Sequence, residues 1–467
     1  MKKLIIAFCA LFSFCANVFC ERFYSTVNPK PDQFAVYVDS YDWGPCISKF
    51  VLNVGKDITQ EDVILDDFEI NRQVIYKGTK VSFAKGELKP VDAYICDVRG
   101  NKVEGKSSYI AICFKVHPET ENNSPFVGYL MGTQFESLFG YEIEYDHLGI
   151  ETKNIAGFVN EPVSKFVLAT SNSKNGERKL GYSFYIPKSK NKVPLILWFH
   201  GIGESGFDPY ITLFNAKASA LAGDKIQSHF KDGVAILIPQ CPTGWLETTE
   251  SNSVGIRYWA PIDRDMPTKA VSSFMNKLLP TEEESQLKTD EKPFAAISFY
   301  TEPVKNLLID FLESHPEIDT NRIYVGGCSA GGYMTMNMVL QCPEFFAAAF
   351  PTCEFYLYNK ITTEQFKALK KMPLWFTYAE NDGTVNPKVT SIPTIKRLEN
   401  DFHPDLHTSV FKDVHDTTGT LFGNDGKPYQ FDGHSSWMYV LNDQCFDDKK
   451  SSLNLFDWLS EHKKKLN

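Results

Sequence analysis

The sequence has no surplus of positive charge, no bilayer-length apolar run and no cysteine spacing suited to zinc. Its 48 Lys and Arg are outnumbered by 58 Asp and Glu, a formal charge of −10. That balance argues against nucleic acid or an anionic membrane as partner, because both recruit proteins through excess Lys and Arg. The early apolar run Leu4–Ala16 falls short of the roughly 20 residues a transmembrane helix needs. Of 11 cysteines, three lie within the first 20 residues. The others are Cys46, Cys96, Cys113, Cys241, Cys328, Cys342, Cys353 and Cys445, whose spacings fit no metal knuckle and read as small core residues. Internal repeats and long low-complexity tracts are also missing. What remains is an ordinary globular composition, 43% hydrophobic and 23% charged, with an aromatic bias of 36 Phe and 21 Tyr.

A chain of 467 residues exceeds what one core organises, so two domains are expected. Met1-Lys2-Lys3 followed by Leu4–Ala16 has the basic start and short hydrophobic stretch of a signal peptide. Residues 1–20 are read as that leader, with cleavage after Val18-Phe19-Cys20 and an exported, secreted or periplasmic product. Acylation at Cys20 or Cys15 is the alternative, against which stand the preceding Val-Phe and Ser-Phe pairs, a poor lipobox.

Residues 21–155 are a succession of β-branched and aromatic runs, among them Phe34–Asp39, Lys49–Val54, Val91–Cys96 and Tyr109–Val116. Short strands at this spacing predict a small antiparallel sandwich of immunoglobulin-like type, a positioning module without catalytic groups. From 156 to 467 the rhythm changes. The runs Tyr182–Pro187, Val193–His200, Gly233–Pro239 and Met372–Tyr378 are continuous and apolar, and helical patterns such as Pro303–Ser314 and Leu453–Lys465 separate them. This predicts an α/β domain with a mostly parallel sheet covered on both faces. The polar stretch Ile262–Lys292 interrupts it as a surface insertion, a loop or a lid.

The chemistry centres on Gly327-Cys328-Ser329-Ala330-Gly331, which lies between a strand and an apolar helix. In a Gly-x-Ser-x-Gly turn the serine sits on a strained strand-to-helix bend, so the positions two before and two after it must lack side chains. The hydroxyl is then lifted above the positive end of the helix. A serine becomes nucleophilic only when a base takes its proton and an acid orients that base. Asp382 follows the strand ending near Tyr378, with Glu380 as the alternative acid. His434, in Phe431-Asp-Gly-His-Ser-Ser-Trp, is the base, and His415 is second choice. Proximity in sequence alone does not make Asp432 the orienting acid. Two backbone donors are needed for the oxyanion: the amide of Ala330 and that of Ile202, in the glycine loop after His200. His200, Gly201, Trp245 and Trp437 are the candidates to line the cleft, with Tyr258 and Trp259 beside them, and core packing is the stronger alternative for the four aromatic side chains.

Gly201-Ile-Gly203-Glu-Ser-Gly206 also fits a dinucleotide fingerprint, with Asp224 as ribose acid. Pro209 where the helix should start, and the absence of a second strand before Asp224, weigh against it.

The blocks Pro194–Gly206, Pro239-Gln-Cys-Pro with Trp245, and Gly326–Gly332 together resemble the α/β-hydrolase superfamily. The likeness is to its secreted esterase and predicted-peptidase group, related to polyhydroxybutyrate depolymerases and feruloyl esterases. It spans about Leu180 to the C-terminus, and members of that group can carry an N-terminal immunoglobulin-like domain. It implies a serine esterase that uses Ser329, Asp382 and His434, needs no cofactor or metal, and acts on a small-molecule or polysaccharide-linked ester. A peptidase with the same triad and a non-catalytic carbohydrate- or polymer-binding protein are the alternatives. Cys328, just before the nucleophile, departs from the commoner residues there and leaves its own reactivity open.

Overall fold

The computed structural model describes residues 22–73, 86–120, 123–126, 139–172, 178–246 and 297–464. The leader, the Ile262–Lys292 insertion, Tyr258 and Trp259 lie outside the described residues.

Eight strands form the large sheet: β1 (Val167–Thr170), β2 (Gly181–Tyr185), β3 (Val193–Phe199), β4 (Ala235–Gln240), β5 (Ile318–Cys328), β6 (Ala348–Thr352), β7 (Leu374–Ala379) and β8 (Leu406–Phe411). Their spatial order is β1-β2-β4-β3-β5-β6-β7-β8. The pairs β1–β2 and β2–β4 are antiparallel, and the rest of the sheet is parallel. The central strands carry no alternation of polar and apolar residues because both faces are covered. Ile196, Trp198, Ile236, Tyr324, Phe350 and Trp375 pack on one face. Leu195, Leu197, Leu237, Ile323, Val325 and Phe376 pack on the other, against α1 (Thr301–Ser314) and α2 (Ala330–Gln341). Each such side chain contributes about 1.5–3 kcal/mol by leaving water.

The N-terminal β-rich region holds two sheets. The six-stranded one runs Phe23–Tyr24, Ile155–Val159, Gln33–Tyr41, Gly44–Ile58, Ser107–Phe114 and Pro90–Cys96; the four-stranded one is Gly86–Glu87, Phe68–Gln73, Gly140–Tyr145 and Ile150–Thr152. They meet face to face, with the Phe50 and Tyr141 rings 5.1 Å apart. The sheet is not wholly antiparallel, as the strand spacing suggested. Phe23–Tyr24 and Ile155–Val159 each join by parallel pairing, which is open to a strand returning over a long connection rather than a hairpin. The chain stays in this sheet through Val159.

The two regions share a hydrophobic cluster. The Phe23 ring packs tilted against Tyr210 (5.0 Å) and Phe214 (4.7 Å), and Arg22 pairs with Asp208 at 2.6 Å. At the turn Tyr41–Gly44, Asp42 accepts hydrogen bonds from Lys217 Nζ (3.0 Å) and Asn442 Nδ2 (2.9 Å).

Candidate active site

Ser329 caps α2 with φ +58°, a conformation that L side chains rarely adopt and that marks strain held by its surroundings. The flanking glycines supply the room. A β-carbon on Gly327 would lie 2.6 Å from the Phe199 and Gly331 carbonyl oxygens, and one on Gly331 only 2.0 Å from Phe199 O. The Ser329 amide donates to Thr352 O at 3.0 Å, which pins the bend to β6.

Asp382 follows the end of β7, its carboxyl fully enclosed. Oδ1 accepts the amides of Thr384 (2.9 Å) and Val385 (2.7 Å), which leaves Oδ2 to face His434 Nδ1 at 2.8 Å. His434 sits in the short turn Gly433–Ser435, whose start is capped by Asp432 Oδ1 accepting the His434 amide. The ring's other nitrogen, Nε2, is 2.8 Å from Ser329 Oγ. With the Nδ1 proton directed at the carboxylate, Nε2 is the acceptor for the serine proton. Burial disfavours the imidazolium, but the charge and hydrogen bond of Asp382 outweigh it and hold His434 above the ordinary histidine value. Trp437 stands edge-on to this ring, with centroids 5.5 Å apart.

The three side chains singled out by spacing thus come together, from elements up to 105 positions apart. The second choices do not. Glu380 points to solvent, and exposed His415 pairs with Asp413 at 2.6 Å. Asp432 caps the histidine turn and leaves the ring to Asp382.

Ile202 opens a 3-10 turn directly after β3 and Ala330 opens α2. Among the described residues, neither amide takes a partner. The dinucleotide alternative finds no matching geometry: the glycines form this turn, and exposed Asp224 begins a four-residue helix.

His200 and Trp245 do not line a cleft. Both are completely buried and brace the glycine loop from behind. His200 Nδ1 donates to Gly201 O (2.6 Å), its Nε2 accepts from the Cys241 amide (3.1 Å), and Trp245 Nε1 donates to His200 O (3.0 Å). Burial pushes His200 down to about 4, so it is a neutral strut. Adjacency to the loop glycines points to His200 and the set of aromatics to Trp245, but neither tells which side of the loop the ring occupies. Cys328 is likewise enclosed, and its thiol is pushed well up by burial, the opposite of an activated cysteine.

Two residues at the site escaped the sequence reading. Cys353, with φ +37°, brings Sγ to 3.3 Å from the Ser329 amide, and nothing in its spacing signals this. Glu204 turns its carboxyl back onto the Gly201 amide at 2.8 Å. A Glu three positions after a loop glycine is the trace it leaves, since that is the reach of a capping side chain. Among the described residues, no cluster of His, Cys, Asp or Glu could hold a metal ion.

The profile of the prolyl oligopeptidase family (peptidase S9) matches residues 307–394, which include Ser329 and Asp382 but stop short of His434. The crystal structure of a thermostable esterase is similar at 19% identity and a TM-score of 0.59, over 92% of this chain and 99% of that one. An acylaminoacyl peptidase from Pyrococcus horikoshii is 16% identical over 61% of this chain and 42% of its own, with a TM-score of 0.36. A ferulic acid esterase is 13% identical over 54% and 91% of the two chains, with a TM-score of 0.36. No curated protein matches the sequence. With its strand order, its strained serine turn and its likeness to the thermostable esterase, the chain has the α/β-hydrolase fold.

Proposed function

We propose that the protein is an exported serine hydrolase that cleaves carboxylic esters through Ser329, His434 and Asp382. The observation that carries this reading is the unbroken run of hydrogen bonds from Asp382 Oδ2 through both nitrogens of His434 to Ser329 Oγ. His434 takes the serine proton as Oγ attacks the ester carbonyl. The carbonyl oxygen becomes an oxyanion in reach of the Ala330 and Ile202 amides. On collapse the alkoxide leaves with the proton from His434, and the acyl group stays on Ser329. Water, deprotonated by the same imidazole, then releases the acid and restores the serine. Asp382 keeps the Nδ1 proton in place and stabilises the imidazolium without taking the proton itself.

Peptide cleavage by the same groups is the second reading, and the match of residues 307–394 to the prolyl oligopeptidase family favours it. The ester is preferred because an alkoxide leaves more readily than an amine. Export rests on Met1–Cys20, and the N-terminal β-rich region is assigned a positioning role because Trp43 packs on Phe431, beside His434.

Labelling with a fluorophosphonate, followed by peptide mass spectrometry, tests the assignment. One adduct on the Ser329 peptide is expected, absent in Ser329→Ala, together with turnover of a p-nitrophenyl ester that the variant loses. Folded wild-type protein that takes no adduct would remove the reading.

A further inference from the structure

Glu204 is enclosed beside the nucleophile turn yet belongs to no step of the chemistry above; it is 4% exposed. Each of its carboxyl oxygens accepts one backbone amide: Oε2 that of Gly201 at 2.8 Å, and Oε1 that of Ala216 at 3.1 Å. Its own carbonyl accepts Gln240 Nε2 at 2.8 Å. One residue therefore joins the glycine turn, the segment after the helix Tyr210–Phe214 and the end of β4.

No ion pair to Glu204 exists among the described residues. The Cys328 thiol feels the Glu204 charge and is itself kept neutral, chiefly by burial. Removal from water pushes the Glu204 carboxyl up to about 8, against the pull of the two amides. A buried carboxyl is costly to keep and is retained where its hydrogen bonds are needed.

Those bonds sort the amides of the turn. Gly201 N–H goes to the Glu204 carboxyl, Glu204 N–H to Gly201 O, and Ser205 N–H to Ile202 O. Among the described residues, Ile202 and Gly203 are left with amides that point to no protein acceptor. His200 and Trp245 brace the turn at its Gly201 end, but its middle has no such support. Gly203 has open space where a side chain would be, and two glycines in four residues leave the backbone free to pivot. The turn runs against the nucleophile's neighbour, since a β-carbon on Gly201 would lie 3.8 Å from both Cys328 O and Cys328 Sγ.

We propose that Glu204 is the positioning residue of the oxyanion hole, clamping Gly201 to Ala216 so that the Ile202 amide stays directed at the carbonyl oxygen of an ester held at Ser329. The inference rests on the serine-hydrolase reading and adds a residue to it. An amide held this way stabilises the oxyanion far more than the planar ester, so its loss appears in kcat and leaves KM alone.

The test uses the full mature chain with Glu204→Ala, Glu204→Gln and Ser329→Ala, a p-nitrophenyl ester and a boronic acid as mimic of the tetrahedral intermediate. Removing one oxyanion donor costs about 10²–10³ in kcat. Glu204→Ala is expected to fall in that range, with KM within about 3-fold of wild type and boronate affinity weakened in parallel with kcat. Glu204→Gln keeps the volume and one acceptor, and should lose roughly 10-fold. Folding is followed by circular dichroism and melting temperature. A folded Glu204→Ala enzyme with wild-type kcat, or one whose losses fall on KM and spare the boronate, overturns the proposal. So does failure of both variants to fold, which would make Glu204 a folding element. Absence of ester turnover and of fluorophosphonate labelling in wild type would instead strike the hydrolase reading itself, so the two failures are distinct.

Discussion

Gly433 lies directly against Asn381: a β-carbon there would sit 2.3 Å from the Asn381 side-chain oxygen and 2.6 Å from its carbonyl oxygen. These residues adjoin His434 and Asp382, so the pair sets how closely the two loops approach. Gly433→Ala would force them apart by roughly 1 Å, at an overpacking cost of about 1–3 kcal/mol. Because the His434–Asp382 contact is a 2.8 Å hydrogen bond, it cannot absorb such a shift. We expect kcat to fall by at least about 10-fold with a modest loss of melting temperature. Near-normal kcat would mean that the loops yield elsewhere.

The acid limb of the pH–rate profile follows from His434. In the proposed mechanism His434 acts as a base only when neutral, and Asp382 holds its pKa above the usual histidine value. Activity should therefore rise with pH through an apparent pKa above the ordinary value of about 6.5. In Asp382→Asn the stabilising charge is gone, so the limb should move to lower pH while kcat drops steeply, by up to about 10⁴. A limb that stays in place in the variant would show that some other group titrates.

Much of this site could be read from the chain because its chemistry imposes local spacing. A strained serine needs glycines two positions either side, and Gly327 and Gly331 sit with backbone carbonyls where β-carbons would go. The central strands β3, β4 and β7 were also legible, since burial on both faces leaves uninterrupted apolar runs, whereas of β5 only the apolar end from Ile323 was, its start at Asp319–Arg322 being polar. Strands β1 and β8 at the sheet edges were not, because half-exposed residues such as Val167 and His407 give them no such run. Strand β6 was hidden in Phe345–Pro351, where three alanines and a proline carry little strand preference of their own. Which side of the glycine loop His200 and Trp245 occupy is fixed by Cys241 and β4, contacts that no local spacing encodes.

The two glycines following functional residues should respond in opposite ways to alanine. At Gly331 the new β-carbon would meet Phe199 O at 2.0 Å and His200 O at 2.7 Å, both backbone atoms of the central strand and its exit. Neither can move without breaking β3, so Gly331→Ala should yield insoluble protein or lose more than about 4 kcal/mol of stability. Gly383, next to Asp382, has nothing within 4 Å of its β-carbon position. Gly383→Ala should melt within a few degrees of wild type. Equal melting temperatures for the two variants would contradict the close packing at the serine turn.

Trp43 offers the test of what the N-terminal region does for the site. Its ring stacks on Tyr41 at 4.9 Å and, across the interface, on Phe431 at 6.3 Å. Phe431 precedes His434 by three residues, and the neighbouring Asp42 holds Asn442, just beyond the helix Trp437–Leu441. The turn Tyr41–Gly44 therefore grips the histidine segment on both sides. An aromatic pair of this kind is worth about 0.5–1.5 kcal/mol beyond its buried area. Trp43→Ala should lower kcat roughly 3- to 10-fold, with little change in KM, if that energy goes into holding His434 in register. The same loss should follow from Phe431→Ala, and the double variant should be no worse than either, a non-additivity read from a double-mutant cycle. Additive losses would mean that the two rings act separately, and the N-terminal region would then be a neighbour of the His434 segment without supporting it.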